Sequence, residues 1–407
     1  MAKNTTPEKP HWRRQAREIA DSLAIAFILA MVIRHFVLEV FKIPTKSMEP
    51  TLLGDPLYGD KILVNKFAYD FQDPDRWDVI VFKYPENVSR NYIKRVVGLP
   101  GETIEIRDGD VFIDGHIARK PWRVQKALWR RRSESGQAEA WRPRDPRVWD
   151  LADHRFAANC QGRDGAHYVD YVQAVLAYEE RVFRHSRHQF IPYHTNDVMV
   201  GFHLVPRRMG GTVLVQLTVR TYRGINDEDP LLGWTVELPV AADRAEPRIF
   251  ENRRGQHTGV PVASGQPYAL EAESPTRVEV ANVDRAVIVR VGEREVARHD
   301  YELDRQYFRE RGFQSHPDIS VGCQNAHLEV REPAVYVDVY YTDPPPRRGE
   351  NGEALTEFRL RPDQFFVLGD NSANSNDSRY WGPVPRSYLV GEAFLVLWPL
   401  GRMKIVR

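Results

Sequence analysis

Two residues of this chain are of types that could do chemistry together: a serine in a stiff turn and a lysine in an apolar strand. Ser47 lies in Ile43-Pro44-Thr45-Lys46-Ser47-Met48-Glu49-Pro50-Thr51-Leu52, where prolines on both sides fix φ and leave the serine little freedom. That suits a nucleophile, and it suits any tight bend. A serine hydroxyl also needs a base to take its proton, and the usual partner is histidine. Across residues 42–120 and 356–407 the one histidine is His116. Lysine can replace histidine when burial strips water from the ammonium and lowers its pKa towards neutrality. The candidate is Lys94 in Asn91-Tyr92-Ile93-Lys94-Arg95-Val96-Val97-Gly98-Leu99-Pro100-Gly101. Strand alternation puts Lys94 with Tyr92 and Val96 on one face and Ile93, Arg95 and Val97 on the other. A third segment, Val367 to Gly382, is a strand running into a dense polar loop with Asp370, Asn371, Ser375, Asp377 and Arg379. By composition alone it reads as an Asx-rich surface turn.

These segments need a scaffold, and its texture is mainly β. Asp60–Asn65, Asp78–Phe82, Tyr92–Val97, Glu102–Arg107 and Asp110–Ile113 are Val/Ile-rich runs bounded by Gly, Pro and Asp. The same texture returns near Phe358, with Gln364–Leu368 and Gly391–Trp398 as strands. Two pieces, 42–120 and 356–407, thus read as one β core interrupted by a long insert, 121–355. The insert opens on an Arg- and Trp-rich stretch (Trp122, Arg123, Trp129, Arg130) and ends in Pro344-Pro345-Pro346-Arg347-Arg348-Gly349, both of which read as linkers. Within it, period-two alternation at Thr212–Arg220, Arg277–Val283, Ala286–Val291 and Val335–Tyr341 predicts half-buried antiparallel strands, a sandwich or jelly-roll-like unit.

The N-terminus starts basic (Lys3, Lys9, Arg13, Arg14, Arg17) and turns apolar from Leu23 to Ile33. That run is shorter than the ~20 residues needed to span a bilayer, so on length it fits a signal-peptide core or a buried helix as well. No small-x-small cleavage site follows, and apolar character resumes to Phe41. The expectation is a cytoplasmic tail, 1–17, and a retained single-pass transmembrane anchor, 18–41, with everything after it outside the inner membrane.

The 57 Lys+Arg against 56 Asp+Glu leave no field favouring nucleic acid. His185, His188, His194 and His203 lack a tight ligand spacing, so no metal is assigned to them. Cys160 and Cys323 are either two free thiols or one long-range disulfide, and the spacing does not decide between them.

Taken in order behind an N-terminal anchor, the blocks Pro-x-x-Ser-Met-x-Pro-Thr-Leu, Ile-Lys-Arg-Val-x-Gly-Leu-Pro-Gly and Gly-Asp-Asn…Ser-x-Asp-Ser-Arg-Tyr-Trp-Gly resemble those of bacterial type I signal peptidases. The resemblance covers residues 18–120 and 356–407. It implies a serine endopeptidase that removes signal peptides from exported preproteins, with Ser47 as nucleophile and Lys94 as base. It further implies that Thr45 and the Ser47 N–H hold the oxyanion, and that Ser375 orients Lys94. Asp377 and Arg379 would pair to fix the loop on a Gly369, Asp370, Asn371 scaffold. The implied partners are preprotein substrates, membrane lipid and the secretion machinery, with no cofactor. One departure is Ser372-Ala373, where the family commonly has Arg-Asp; another is the insert. The competing reading is a membrane-tethered binding protein that works through the insert and carries an inactive peptidase core.

Overall fold

The computed structural model describes residues 11–36, 38–173, 175, 182–184, 187–189, 195–219, 232–253, 256–302, 318–345, 347–348 and 354–406. Helix α1, His11–Phe36, comes first. It stops short of the anchor's expected end at residue 41, because Leu38–Lys42 forms strand β1 and pairs antiparallel with β2, Lys61–Asn65, from Leu38↔Asn65 to Lys42↔Lys61. Sheet pairing gives these backbone groups partners that a helix end leaves unsatisfied. No helix among the described residues is long and apolar enough to cross a membrane. Yet Ile19, Leu23, Ile25, Phe27 and Ile28 of α1 are each at least 62% exposed.

The sheet that carries the site runs β1, β2, Leu389–Trp398, β3 (Val79–Tyr84), β4 (Asn87–Gly98), Gln364–Leu368, Val384–Pro385. Its neighbours pair antiparallel throughout. The two sequence-distant halves interleave: Leu389–Trp398 sits between β2 and β3, and β4 pairs Val96 with Val367 and Arg95 with Leu368. A smaller sheet of Glu357–Arg359, Thr103–Arg107, Asp110–Ile113 and His116–Ile117 packs Ile104 and Phe358 onto Val97, Phe366 and Leu368. Alternation makes this possible, since one face of each strand is apolar.

The middle of the chain builds two larger antiparallel sheets. One contains Val198–Arg208, His327–Val337, Thr276–Val283 and Ala286–Val291; the other contains Thr212–Val219, Leu232–Pro239 and Asp318–Gln324. Their inward rows, among them Val200, Phe202 and Val280 from the first and Val213, Trp234 and Val321 from the second, share one apolar core. Cys160 and Cys323 are both free and both buried in that core, where Cys160 Sγ donates to Ala326 O at 3.3 Å.

Two expectations about the insert's ends need correcting. The Arg/Trp stretch is no solvated linker: Trp122–Leu128 is a helix with Val124 and Leu128 buried, Trp129 is 8% exposed, and Arg130–Arg131 pairs with Tyr336–Val337. Val124 and Leu128, four residues apart, share a helix face that the core covers. The strand expected over Val335–Tyr341 is instead His327–Val337, beyond which the chain dives into the interleaved β core, where Val339 and Tyr341 pack with Val97 and Phe366. The proline-rich stretch 344–349 lies only partly within the described residues. At the joint, the carboxylate oxygens of Asp110, Asp197 and Asp284 lie within 4.8 Å of one another. Buried Lys120 bonds Asp284 and stands 3.0 Å from Asp338.

Candidate active site

Ser47 lies in a single 3-10 turn, Lys46–Met48. Met48 and Leu52, both 0% exposed, sink into the apolar cluster that holds Ile43, Val64, Val79 and Val396. Burying two such side chains contributes roughly 1.5–3 kcal/mol each and pins the turn from below. The turn is fixed from above by the polar loop: Asn371 N donates to Ser47 O at 3.0 Å and Asn371 Nδ2 donates to Lys46 O at 3.2 Å.

Lys94 is on β4 opposite Ile80 of β3, 4% exposed, with Tyr92 and Val96 on its face. Its Nζ stands 2.8 Å from Ser47 Oγ in a hydrogen bond and donates to Ile93 O at 2.7 Å. Burial pushes the Lys94 pKa down to about 8, against the pull of the Asp377 and Asp370 charges and with the help of Arg379. Thr45 Oγ1 is 3.4 Å from Ser47 Oγ. Ser47, Lys94 and Thr45 line one end of a cavity of about 260 Å³ whose walls include Phe41, Ile43, Ile62, Val81 and Ile93.

The loop after Gln364–Leu368 carries two buried ion pairs. Asp377 and Arg379, both 0% exposed at the side chain, meet through Nε–Oδ1 and Nη2–Oδ2 contacts of 2.8 Å. Asp377 Oδ2 also accepts from Gly369 N at 3.0 Å. The second pair went unread in the sequence: Arg95 Nε and Nη2 each reach Asp370 at 2.8 Å, again with both side chains at 0% exposure. Arg95 further donates to Trp77 O and Thr51 Oγ1. Its signal was adjacency to Lys94, but the partner lies 275 positions away and enters only through the β4 pairing with Gln364–Leu368. Two fork-shaped guanidinium–carboxylate contacts of this kind fix geometry as well as charge.

Gly369 is needed where it stands, because a Cβ there would lie 2.6 Å from Ser47 O and 2.2 Å from Ser375 Oγ. Ser375 is brought to the site but not to the contact expected of it: its buried Oγ makes no hydrogen bond among the described residues. Lys94 already has Ser47 Oγ and Ile93 O for partners, which leaves Ser375 packed over Gly369. At the departure from the motif, Ser372 Oγ accepts from Arg379 Nη1 at 2.6 Å and from Thr342 N at 3.0 Å. Of the insert histidines, His185 and His194 lie outside the described residues, and His203 is on the strand Val198–Arg208.

The model of the family "Signal peptidase, peptidase S26" matches residues 16–149 and 318–398, more than half of the chain. The chain belongs to that family. A signal peptidase I of Pseudomonas aeruginosa is 41% identical over 113 residues, which is 25% of this chain and 38% of that relative. A probable signal peptidase I of Synechocystis is 29% identical over 199 residues, 47% of this chain and 91% of the relative. The chain therefore covers well under two thirds of the Pseudomonas protein and nearly all of the Synechocystis one. Among solved structures, a Bacillus subtilis protein of unknown function with a galectin-like fold is similar at 12% identity and a TM-score of 0.33, over 52% of this chain and 99% of that one; that likeness is too low to argue from. The family match leaves out residues 150–317, the body of the insert.

Proposed function

We propose that this peptidase S26 member is a signal peptidase I: a membrane-bound serine endopeptidase that removes N-terminal signal peptides from exported preproteins. The observation that supports this reading best is the 2.8 Å contact between Ser47 Oγ and a buried Lys94 amine. In its neutral form Lys94 takes the Ser47 proton as the hydroxyl attacks the scissile carbonyl, then returns it to the leaving amine. Water hydrolyses the acyl-enzyme with Lys94 again as base. The N–H of Ser47 and the Thr45 hydroxyl stabilise the oxyanion, a role in which one donor is typically worth ~10²–10³ in rate. The Asp377–Arg379 and Arg95–Asp370 pairs hold the loop against the Ser47 turn, and Ser375 fills the space over Gly369.

The substrate lies extended along the cavity between the Phe41–Thr45 segment and the Asn91–Lys94 segment of β4. Apolar walls and a small volume favour the small side chains of an Ala-x-Ala-like site over charged ones. The exposed apolar side chains of α1 are covered by lipid, which makes the helix the single-pass anchor with the catalytic residues on the outer side of the inner membrane. The competing reading, a tethered binding protein with a silent core, finds no support in the contact between Ser47 and Lys94.

The test is cleavage of a preprotein by the full chain in detergent or liposomes. Release of mature product by the parent, abolished in Ser47→Ala and in Lys94→Met, is the expected result. Equal background in all three would remove the peptidase reading and leave the binding one.

A further inference from the structure

Both ends of the insert reach the catalytic centre. Arg130, just past the entry helix, donates from Nη2 to Glu49 O at 3.1 Å and to Asp370 O at 3.4 Å. Glu49 is two residues beyond the nucleophile, and Asp370 immediately precedes Asn371, whose amide groups hold Ser47 O and Lys46 O. One guanidinium therefore bridges the Ser47 turn and the polar loop where the two cross. Its own backbone is fixed by pairing with Val337 and by the burial of Trp129.

Thr342, on the segment that returns from the insert, bonds two further residues of the polar loop, Arg379 and Ser372. Its carbonyl accepts from Arg379 Nη1 at 3.0 Å, its Oγ1 accepts from the same nitrogen, and its N–H donates to Ser372 Oγ. Arg379 passes this restraint through Asp377 to the Gly369 N–H, and Gly369 abuts Ser47 O. Ser372 braces the loop from within by accepting from Arg379 at both Oγ and O, and Thr342 of the insert joins that same cluster. Neither contact involves substrate, and both act on the backbone that sets the distance from Ser47 Oγ to Lys94 Nζ.

We propose that Arg130 and Thr342 are positioning residues for the Ser47–Lys94 reaction, which makes the insert's two ends part of the catalytic machinery. The proposal rests on the peptidase reading above. Misplacing reacting groups by about 1 Å can cost ~10²-fold in rate, and a bond to one of two restraining elements should cost less than that.

The test is steady-state cleavage of a peptide with an Ala-x-Ala site by the full chain in detergent. Arg130→Ala is expected to lower kcat roughly tenfold with KM within twofold, and added guanidinium ion to recover a good part of the loss, because the site lost a donor rather than its fold. Thr342→Val, nearly the same shape, removes the Oγ1 acceptor and leaves the carbonyl and N–H contacts, so it should lower kcat a few-fold, and Thr342→Ser should restore it. Should Arg130→Ala fail to fold, Arg130→Lys is read in its place: it keeps the charge but replaces the planar guanidinium whose Nη2 makes both bonds by a compact ammonium, so a several-fold fall in kcat is expected. Parental kcat in folded Arg130→Ala (or Arg130→Lys) and Thr342→Val, or a change confined to KM, would overturn the proposal. A parent chain that cuts no preprotein at all would instead refute the peptidase reading, and the two failures are thereby distinct.

Discussion

The space over Gly369 is closed by the Ser47 carbonyl and by Ser375, and filling it makes a sharp prediction. In Gly369→Ala the new Cβ would sit 2.6 Å from Ser47 O and 2.2 Å from Ser375 Oγ, where ordinary contact begins at 3.4 Å. The Ser375 hydroxyl can rotate away, but Ser375 Cβ, also 2.6 Å from the new atom, cannot, and Ser47 O is a backbone atom already held by Asn371 N. Relief therefore requires about 0.8 Å of movement between turn and loop. Overpacking of that kind costs ~1–3 kcal/mol of stability, while a displacement near 1 Å of the reacting oxygen costs ~10²-fold in kcat. The assay is kcat and KM for preprotein cleavage beside the melting temperature of each variant. A fall in kcat of about two orders of magnitude with only a modest drop in melting temperature is expected. Gly369→Ala combined with Ser375→Gly removes the second collision and leaves the first, so it should stay slow. Near-parental kcat in the single variant, or full recovery in the double one, would show that the Ser47 carbonyl does not govern the geometry.

Two further outcomes follow from the buried charges. Asp370→Ala strands the Arg95 guanidinium with 0% exposure, so urea denaturation should show a loss of ~3–5 kcal/mol; a loss below about 1 kcal/mol would mean that Thr51 and the Trp77 carbonyl suffice. At the joint, burial and then the Asp284 charge push the Asp110 carboxyl up to about 7, with Lys120 and Arg285 opposing and Asp338 adding to the rise. The folded state then binds this proton more tightly than the unfolded one, whose carboxyl titrates near 3.8. Stability should accordingly fall as pH rises from about 4 to about 7 and stay at its low value above. Asp110→Asn should raise the melting temperature more at pH 8 than at pH 4.5, and equal shifts at both would contradict the assignment.

Much of the catalytic half was legible because its signals are local. Alternation located the strand around Lys94, and Asp110–Ile113 and Gln364–Leu368 coincide with the observed strands. Ser47 and Lys94 were candidates by residue type, and it was the resemblance of the three sequence blocks to the signal peptidase family that joined them as a pair. Arg95–Asp370 and Thr342–Arg379 were not legible, since each needs a long-range pairing that one sequence does not display. The Arg/Trp stretch misled for a related reason: charge suggested solvent, whereas Val124, Leu128 and Trp129 bury one side of it between the two halves. The end of α1 was misplaced because the apolar Leu38, Val40 and Phe41 extend the hydrophobic run while their backbone belongs to the sheet.

The account turns on Lys94 being uncharged when Ser47 attacks. With a pKa near 8, the neutral fraction rises about tenfold per pH unit below that value and levels off above it. The pH profile of kcat/KM for preprotein cleavage by the full chain, repeated with Asp110→Asn to separate the joint from the site, reads this directly. The account predicts a slope of one up to an inflection near pH 8 and a plateau beyond, unchanged in the Asp110 variant. A profile flat from pH 6 to 9, or one still climbing towards the ordinary lysine value of 10.5, would contradict it.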